Sequence, residues 1–440
     1  MSALLHVPVN PVRFVTAAAL FDGHDAAINV MRRLLQSQGA EVIHLGHDRS
    51  VEEVVATAVE EDVAGVAISS YQGGHLEYFR YLVDRLAEEG RGDIGVYGGG
   101  GGVIVPAEVS ELEAYGVRHI FTPADGQRLG LPGMINVLIQ ECDRDLAAGP
   151  PPSLEALLAG DRGALARLIT IYQAGREPPW HGEVATEASR RPVSVLGITG
   201  TGGSGKSSLN DELVRRFRLD QEDKLRVAVL AVDPTRRRAG GALLGDRIRM
   251  NSLAWPQVFF RSMATRGARE LPECLPRVID ACRAAGFDLV IVETPGIGQG
   301  DAGIVDVADV ALYVMTPEYG AASQLEKIDM LDFADVVAIN KFERRGGPDA
   351  LRDVSRIWAR NHPEASAAAA PVFGTVASRF NDDGVTALYG ELRGRLAAAG
   401  LALGEGRLTI PEGRNSTGAT VIVPTERVRY LADAAATVRA

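Results

Sequence analysis

Lysine is almost missing from this chain of 440 residues: Lys206, Lys224, Lys327 and Lys341 are the only four, and arginine supplies the remaining positive charge. The net charge of −11 argues against a general binder of nucleic acid or of anionic membranes. Cysteine is scarce too. Cys142, Cys274 and Cys282 are odd in number and lack metal-ligand spacing, which suits a reducing cytosol and small buried or partly exposed side chains. No uninterrupted apolar stretch reaches the roughly 18 residues that span a bilayer. The N-terminus has no basic region followed by an apolar run and cleavage site. These absences predict a soluble, cytoplasmic protein.

What is present fits globular folding, with 46% hydrophobic and 23% charged residues. The length exceeds one ordinary core and predicts two or three domains. Apolar runs near 14–20, 41–45, 63–68, 94–97 and 117–121 alternate with helical stretches near 25–38, 51–62, 75–89, 106–115 and 127–147. Five βα units of this kind predict a parallel sheet with helices on both faces, a flavodoxin-like (Rossmann-type) α/β domain over 1–148. Its ligands should gather at the C-terminal strand edge. Gly149-Pro150-Pro151-Pro152 cannot continue a helix and ends that domain. A helical linker is expected over 149–192. It has an apolar stripe of Leu154, Leu157, Leu158, Leu165, Leu168 and Ile169, then a looser Pro-containing stretch around 175–192. A second α/β domain should cover 193–400. Residues 401–440 read as a connector with a strand-like patch at 420–423 and a final helix-like segment.

Two loops carry chemistry. Gly200-Thr201-Gly202-Gly203-Ser204-Gly205-Lys206-Ser207 follows the strand pattern 194–198 and opens a helix near Ser207, the context that a phosphate-binding P-loop requires. Backbone N–H groups of Gly203, Ser204 and Gly205, with Ser207 and Ser208 at the helix start, can cradle phosphates. Lys206 offsets β/γ charge, and the Ser207 hydroxyl reaches Mg²⁺. Further along, strand patterns end in Asp233-Pro234 and in Glu293-Thr294-Pro295-Gly296, and Asp246 lies in a Gly-rich loop. Acids at strand ends can hold magnesium or its waters, so Asp233, Asp246, Glu293 and Thr294 join Ser207 as candidate magnesium positions. Gly296 can sense a γ-phosphate through its N–H, and Arg249 is a candidate clamp on it. Gln299 is a candidate to position water.

Asn340-Lys341-Phe342-Glu343 follows the strand pattern 336–339 and resembles the guanine-reading N-K-x-D box of G proteins. The resemblance puts Asn340 on the base edge, Lys341 on its face and the Glu343 carboxylate, one methylene longer than aspartate, on N1 and the exocyclic amine. Ala377-Ser378 is then a candidate for the last base contact. GTP is the expected nucleotide, hydrolysed through Lys206, Ser207 and Mg²⁺ mainly by positioning and charge neutralisation.

The second loop is Asp22-Gly23-His24, just beyond the first strand pattern. Ser69-Ser70-Tyr71, Gly98–Gly102 and Phe121-Thr122 end later strands at the same edge. These pieces resemble the cobalamin-binding domain of acyl-CoA mutases, whose pattern is D-x-H-x-x-G, then S-x-L, then G-G. The resemblance implies His24 as the cobalt ligand of a base-off cobalamin, with Asp22 accepting its other N–H. It also implies Gly23, Ser69, Tyr71, Gly101, Gly102 and Thr122 as cofactor contacts, the glycines allowing close approach. Ala27 stands where the pattern has glycine and Tyr71 where it has leucine, which reshapes the groove for the nucleotide tail. The other histidines, His75 near the site among them, read as surface or packing residues.

The second domain, with Glu293 at its strand end and Leu158-Ala159-Gly160-Asp161-Arg162 before it, resembles the G-protein chaperones of methylmalonyl-CoA mutase. In those, residues corresponding to 316–327 form a mobile contact loop. The ordered pair resembles the fused isobutyryl-CoA mutases over nearly the whole chain. That resemblance implies GTPase activity that gates loading of adenosylcobalamin. It also implies interconversion of isobutyryl-CoA and n-butyryl-CoA, but only together with an acyl-CoA mutase barrel that the residues after 400 are too few to form. An adenosyltransferase delivering cobalamin and a second copy in a homodimer are the expected partners. A methylmalonyl-CoA or pivalyl-CoA mutase relative, or a non-enzymatic cobalamin carrier or sensor with a nucleotide switch, are the alternatives.

Overall fold

The computed structural model describes residues 5–23, 25–191, 193–235, 240–245, 247–266, 271–296, 302–319, 330–362, 369–418 and 437. His24, Asp246, Gln299, residues 320–327 and the strand-like patch 420–423 lie outside the described residues.

The first sheet is built from β1 (Arg13–Ala19), β2 (Glu41–Arg49), β3 (Gly65–Ser69), β4 (Gly95–Gly99) and β5 (His119–Phe121). The helices between and after them are α1 (Asp25–Ser37), α2 (Val51–Glu60), α3 (His75–Glu88), α4 (Pro106–Tyr115) and α5 (Pro123–Cys142). The described strands pair in parallel: Phe14 lies beside Val42 on one side and Gly65 on the other, and Gly65 lies beside Gly95. Every residue of β1 is buried, as a central strand covered on both faces requires. Alternation then divides the apolar residues between two cores. Val15, Ile43, Val66 and Ile68 face Val54, Phe79, Leu82 and Leu112, while Phe14, Ala67, Tyr97 and Phe121 face Leu35, Met134, Ile135 and Leu138.

The linker region holds α6 (Leu154–Leu158) and α7 (Arg162–Gln173), the latter capped by the Asp161 carboxylate, which accepts from the Ala164 N–H. The stretch expected to be loose contains a third helix, α8 (His181–Arg190). Val184 and Ala188, spaced i,i+4, are its buried residues, and a two-residue stripe in a polar segment is a faint periodic signal.

Then come β6 (Ser194–Gly200), α9 (Lys206–Asp220), β7 (Val227–Asp233), β8 (Ala242–Leu244), β9 (Val258–Ala264), α10 (Leu275–Ala284) and β10 (Leu289–Glu293). They are followed by β11 (Val310–Met315), α11 (Met330–Phe333), β12 (Val336–Asn340), α12 (Gly347–Asn361), β13 (Val372–Thr375) and α13 (Asp383–Ala398). The strand order in the second sheet is β13-β12-β11-β6-β10-β7-β9. One strand does not join it. In the first sheet the order is β5-β4-β3-β1-β2-β8, so the expected five-stranded sheet gains a sixth member from far along the chain.

The chain divides into two compact units. The first comprises Met1–Leu196, Lys224–Pro295 and Gly400–Ala402, and the second Gly197–Asp223, Gly296–Ala399 and Leu403–Ala440. Within the first unit, buried charges pair with one another. Arg13 meets Glu41 and Glu61, each at 2.7 Å, and Glu61 also accepts from the Ser262 N–H at 3.1 Å. Burial alone would raise the Glu41 pKa, yet Arg266 and Arg13 hold it down to about 2. Among the described residues no helix is long and apolar enough to cross a membrane. Cys142, Cys274 and Cys282 are all buried and free.

Candidate functional site

In the first unit a cavity of about 300 Å³ opens between the sheet and the pair α1 and α5. Its sheet side is Ala67, Ser69, Tyr97 and Gly98–Gly101, and its helix side includes Ala27, Ile28, Met31, Gly126, Met134 and Ile135. Small residues create the space. A Cβ on Gly100 would sit 2.0 Å from the Ser70 carbonyl oxygen, so only glycine fits there. Gly101 has φ +59° and passes over the Tyr71 ring, where a Cβ would be 3.0 Å from Cε1.

Most of the lining is apolar, with Ser69 and Thr122 among its polar members. The Ser69 hydroxyl, which lines the cavity, is buried and has no hydrogen-bond partner among the described residues. A buried hydroxyl left unpaired costs about 1–3 kcal/mol, so a polar edge of a ligand would relieve it. An apolar ring with polar atoms at its rim, the character of a nucleotide-like cofactor tail, fits this lining. Ser69, Tyr71, Gly101 and Thr122 all line the cavity. Gly102 does not. It is exposed, outside the lining.

At the rim, the buried Asp22 carboxylate accepts from the Tyr71 N–H at 2.7 Å, tying the ends of β1 and β3 together. Thr122 is occupied as a helix cap: its hydroxyl accepts from the Asp125 N–H at 3.3 Å and donates to the Asp125 carboxylate at 2.7 Å. The Thr122 N–H and hydroxyl hold the Asp125 pKa down to about 2. His75 packs as expected of a structural histidine, buried, with Nε2 3.0 Å from Glu108. The helix-side lining escaped the sequence reading because Ile28, Met31, Met134 and Ile135 look like ordinary core residues. The small residues Ala27 and Gly126 on the same helices were the available signal.

In the second unit the P-loop is braced by the segment after β12. Gly203 and Gly205 have φ of +76° and +88°, and Gly200 has φ +148° with no room for a Cβ against the Val314 carbonyl oxygen. The Asn340 side-chain amide donates to the Ser204 carbonyl at 2.8 Å, and Lys341, at φ +58°, donates from Nζ to the Gly203 carbonyl at 2.7 Å. Asn340 Oδ1 in turn accepts from the Ala377 N–H at 3.1 Å, which joins the two expected base-reading segments. Lys206 Nζ donates to the Gly200 carbonyl at 3.2 Å. A Cβ on Gly296 would lie 2.7 Å from that Nζ, so this glycine permits the lysine's position. The Ser204 hydroxyl is buried and has no partner among the described residues. Ser207 is buried at the start of α9, and Glu343 is exposed.

In the first unit, Asp233 and Glu293 end the neighbouring parallel strands β7 and β10, with Glu293 in register with Ala231. Glu293 and Thr294 are buried, whereas Arg249 is exposed at the end of a short 3₁₀ turn. Two carboxylates on adjacent strand ends suit a hard cation with oxygen ligands.

A family model described as "Methylmalonyl Co-A mutase-associated GTPase MeaB" matches residues 165–401, and one described as "B12 binding domain" matches 12–126. The chain is 69% identical over 99% of its length to a fused isobutyryl-CoA mutase of Nocardia farcinica, covering 41% of that protein. It is 62% identical over 98% of its length to one of Cupriavidus metallidurans, covering 40%, and 53% identical over 99% to one of Geobacillus kaustophilus, covering 41%. The chain thus spans about two-fifths of the length of these relatives.

Proposed function

The chain belongs to the family of methylmalonyl Co-A mutase-associated GTPases, with a B12 binding domain ahead of that module, and from this we propose that it is the cofactor-handling part of an adenosylcobalamin-dependent acyl-CoA mutase. The observation that carries the reading is the apolar cavity at the sheet edge with the unpaired, buried Ser69 hydroxyl in its lining. When bound, the cofactor supplies a cobalt–carbon bond that can be cleaved to a radical. This chain's own residues hold it: His24 toward the metal, Ser69 toward polar atoms of the tail, and the glycines of 98–101 as clearance.

The nucleotide module hydrolyses GTP. Gly203–Ser208 bind the phosphates, Lys206 turns from the Gly200 carbonyl to the β/γ-phosphates, and Ser207 with Asp233, Asp246 and Glu293 holds Mg²⁺. Asn340, Lys341 and Glu343 read guanine, and Arg249 meets the γ-phosphate. We assign 1–148 to cobalamin, 149–192 to the linker, 193–400 to the GTPase and 401–440 to a connector. Isobutyryl-CoA and n-butyryl-CoA are the proposed substrates of a barrel supplied by further sequence or a separate chain. An adenosyltransferase and a second copy of the chain complete the proposed assembly.

The test is a titration with adenosylcobalamin read by ultraviolet–visible absorption, on this chain and on His24→Ala. A base-off spectrum with imidazole coordination that the substitution removes supports the reading. Identical spectra from the two proteins refute it.

A further inference from the structure

The loop after β7 returns to the first sheet rather than staying with its own. Four contacts, all inside the first compact unit, hold it there. Gly241 passes so near the turn after α1 that a Cβ would lie 2.3 Å from the Gln36 carbonyl oxygen and 2.7 Å from that of Ala40. β8 then pairs in parallel with β2, with Ala242 beside Glu41 and Leu244 beside Ile43. Ala242 and Leu244 are fully buried in the same core as Val15, Ile43 and Val54. Beyond them, Ile248 lies over Gly46, where a Cβ would come within 2.9 Å of its Cδ1.

The fourth contact is charged. Arg247 is buried, donates to Glu60 at the end of α2 at 2.6 Å, and donates to the Phe260 carbonyl at 3.1 Å. Glu60 also pairs with Arg162 at 2.8 Å, and its carbonyl accepts from Arg261 at 3.1 Å. A buried carboxylate held by two guanidinium groups is expensive to expose and expensive to leave alone. Arg247 follows Asp246 directly and stands two residues before Arg249.

We propose that Arg247 and β8 are positioning elements, tying residues 241–249 to the cobalamin-binding sheet so that the flanking groups Asp233 and Arg249, offered to magnesium and γ-phosphate, shift only when that sheet shifts. The inference rests on the proposed use of those groups in GTP hydrolysis. The sheet edge at β2 is the mechanical link, because a strand shared in register cannot slide without repacking Ala242 and Leu244. Neither element touches the reacting atoms.

Glu60→Gln tests this from the cobalamin side, in a residue that belongs to no nucleotide motif. In the intact chain the substitution should lower kcat for GTP at least fivefold with KM within twofold, a coupling of ordinary allosteric size. Glu60→Asp, which keeps the charge, should recover part of the loss. A merely structural role would lower the melting temperature and leave kcat of the folded protein alone. A folded Glu60→Gln protein with kcat within twofold of the parent overturns the proposal. A second measurement needs no variant: saturation with adenosylcobalamin should slow amide exchange in peptides covering 240–250 at least fivefold. Unchanged exchange with the cofactor demonstrably bound also overturns it. Absence of any cobalamin binding refutes the cofactor reading instead, and the kcat comparison then decides the link by itself.

Discussion

The two sites of this chain are built on opposite plans. At the cavity above β3 and β4, the room is made by what side chains leave out: Gly98–Gly101, Ala27 and Gly126 open a space, and the Ser69 hydroxyl stands unpaired in it. At the P-loop, specificity is made by groups already engaged. Asn340 and Lys341 hold the Ser204 and Gly203 carbonyls, and Lys206 rests on Gly200. On the proposed reading, a large cofactor would meet preformed room, whereas phosphates would meet a braced backbone whose Lys206 must leave the Gly200 carbonyl. The first plan tolerates substitution at its edges and fails when the room is filled. The second fails when one cation is removed.

The contrast is broken most severely by Lys206→Ala. GTP turnover should fall on the order of 10³-fold, because nothing else in the loop offsets the β/γ charge, while the cobalamin titration is unchanged. Loss of both activities would show that the two plans are not separable. Gly126→Leu attacks the other side. The added side chain enters the cavity, where the nearest heavy atom to a new Cβ is Met134 Sδ at 3.9 Å. Cobalamin affinity should fall about 10–100-fold while stability rises by up to about 1 kcal/mol, since a helix gains when glycine is replaced. A variant that loses both stability and affinity would mean that the room is not preformed. Ser69→Ala sharpens the comparison with the smallest effect. Removing an unpaired buried hydroxyl should stabilise the free chain by about 1 kcal/mol and weaken cobalamin about 3–10-fold, read by melting and by titration. Unchanged affinity would take Ser69 out of the contact.

How much of this was legible in the sequence follows from the same contrast. The P-loop and the segment at Asn340 are each contiguous, so both stand out in the letters, and the structure joins them through the Asn340–Ser204 and Lys341–Gly203 hydrogen bonds. The strand–helix alternation of the first domain is equally plain, because buried parallel strands read as apolar runs such as Phe14–Leu20. The cavity is only half legible: Ser69, Tyr71 and Gly101 stand at strand ends, but Met31 and Met134 carry the same hydrophobic signal as any packed helix. α8 was hidden by flanking prolines and a stripe of two residues. β8 could not be read at all. Ala242-Leu243-Leu244 is three residues long, and its partner at Glu41 lies two hundred positions earlier. Local propensity has no access to such a pairing, and only Gly241 and Gly46, both close-approach glycines, hint at it.

That distant pairing bears on how such a protein can be inherited. Recombination at the proline run 150–152 would look like a clean exchange of modules, yet it would strand an edge of β2 without its neighbour and leave the Glu60 and Glu61 carboxylates interred without Arg247 and Ser262. The two halves can therefore drift only in step, as a matched set, and a chimera assembled from unrelated parents should come out of the cell insoluble.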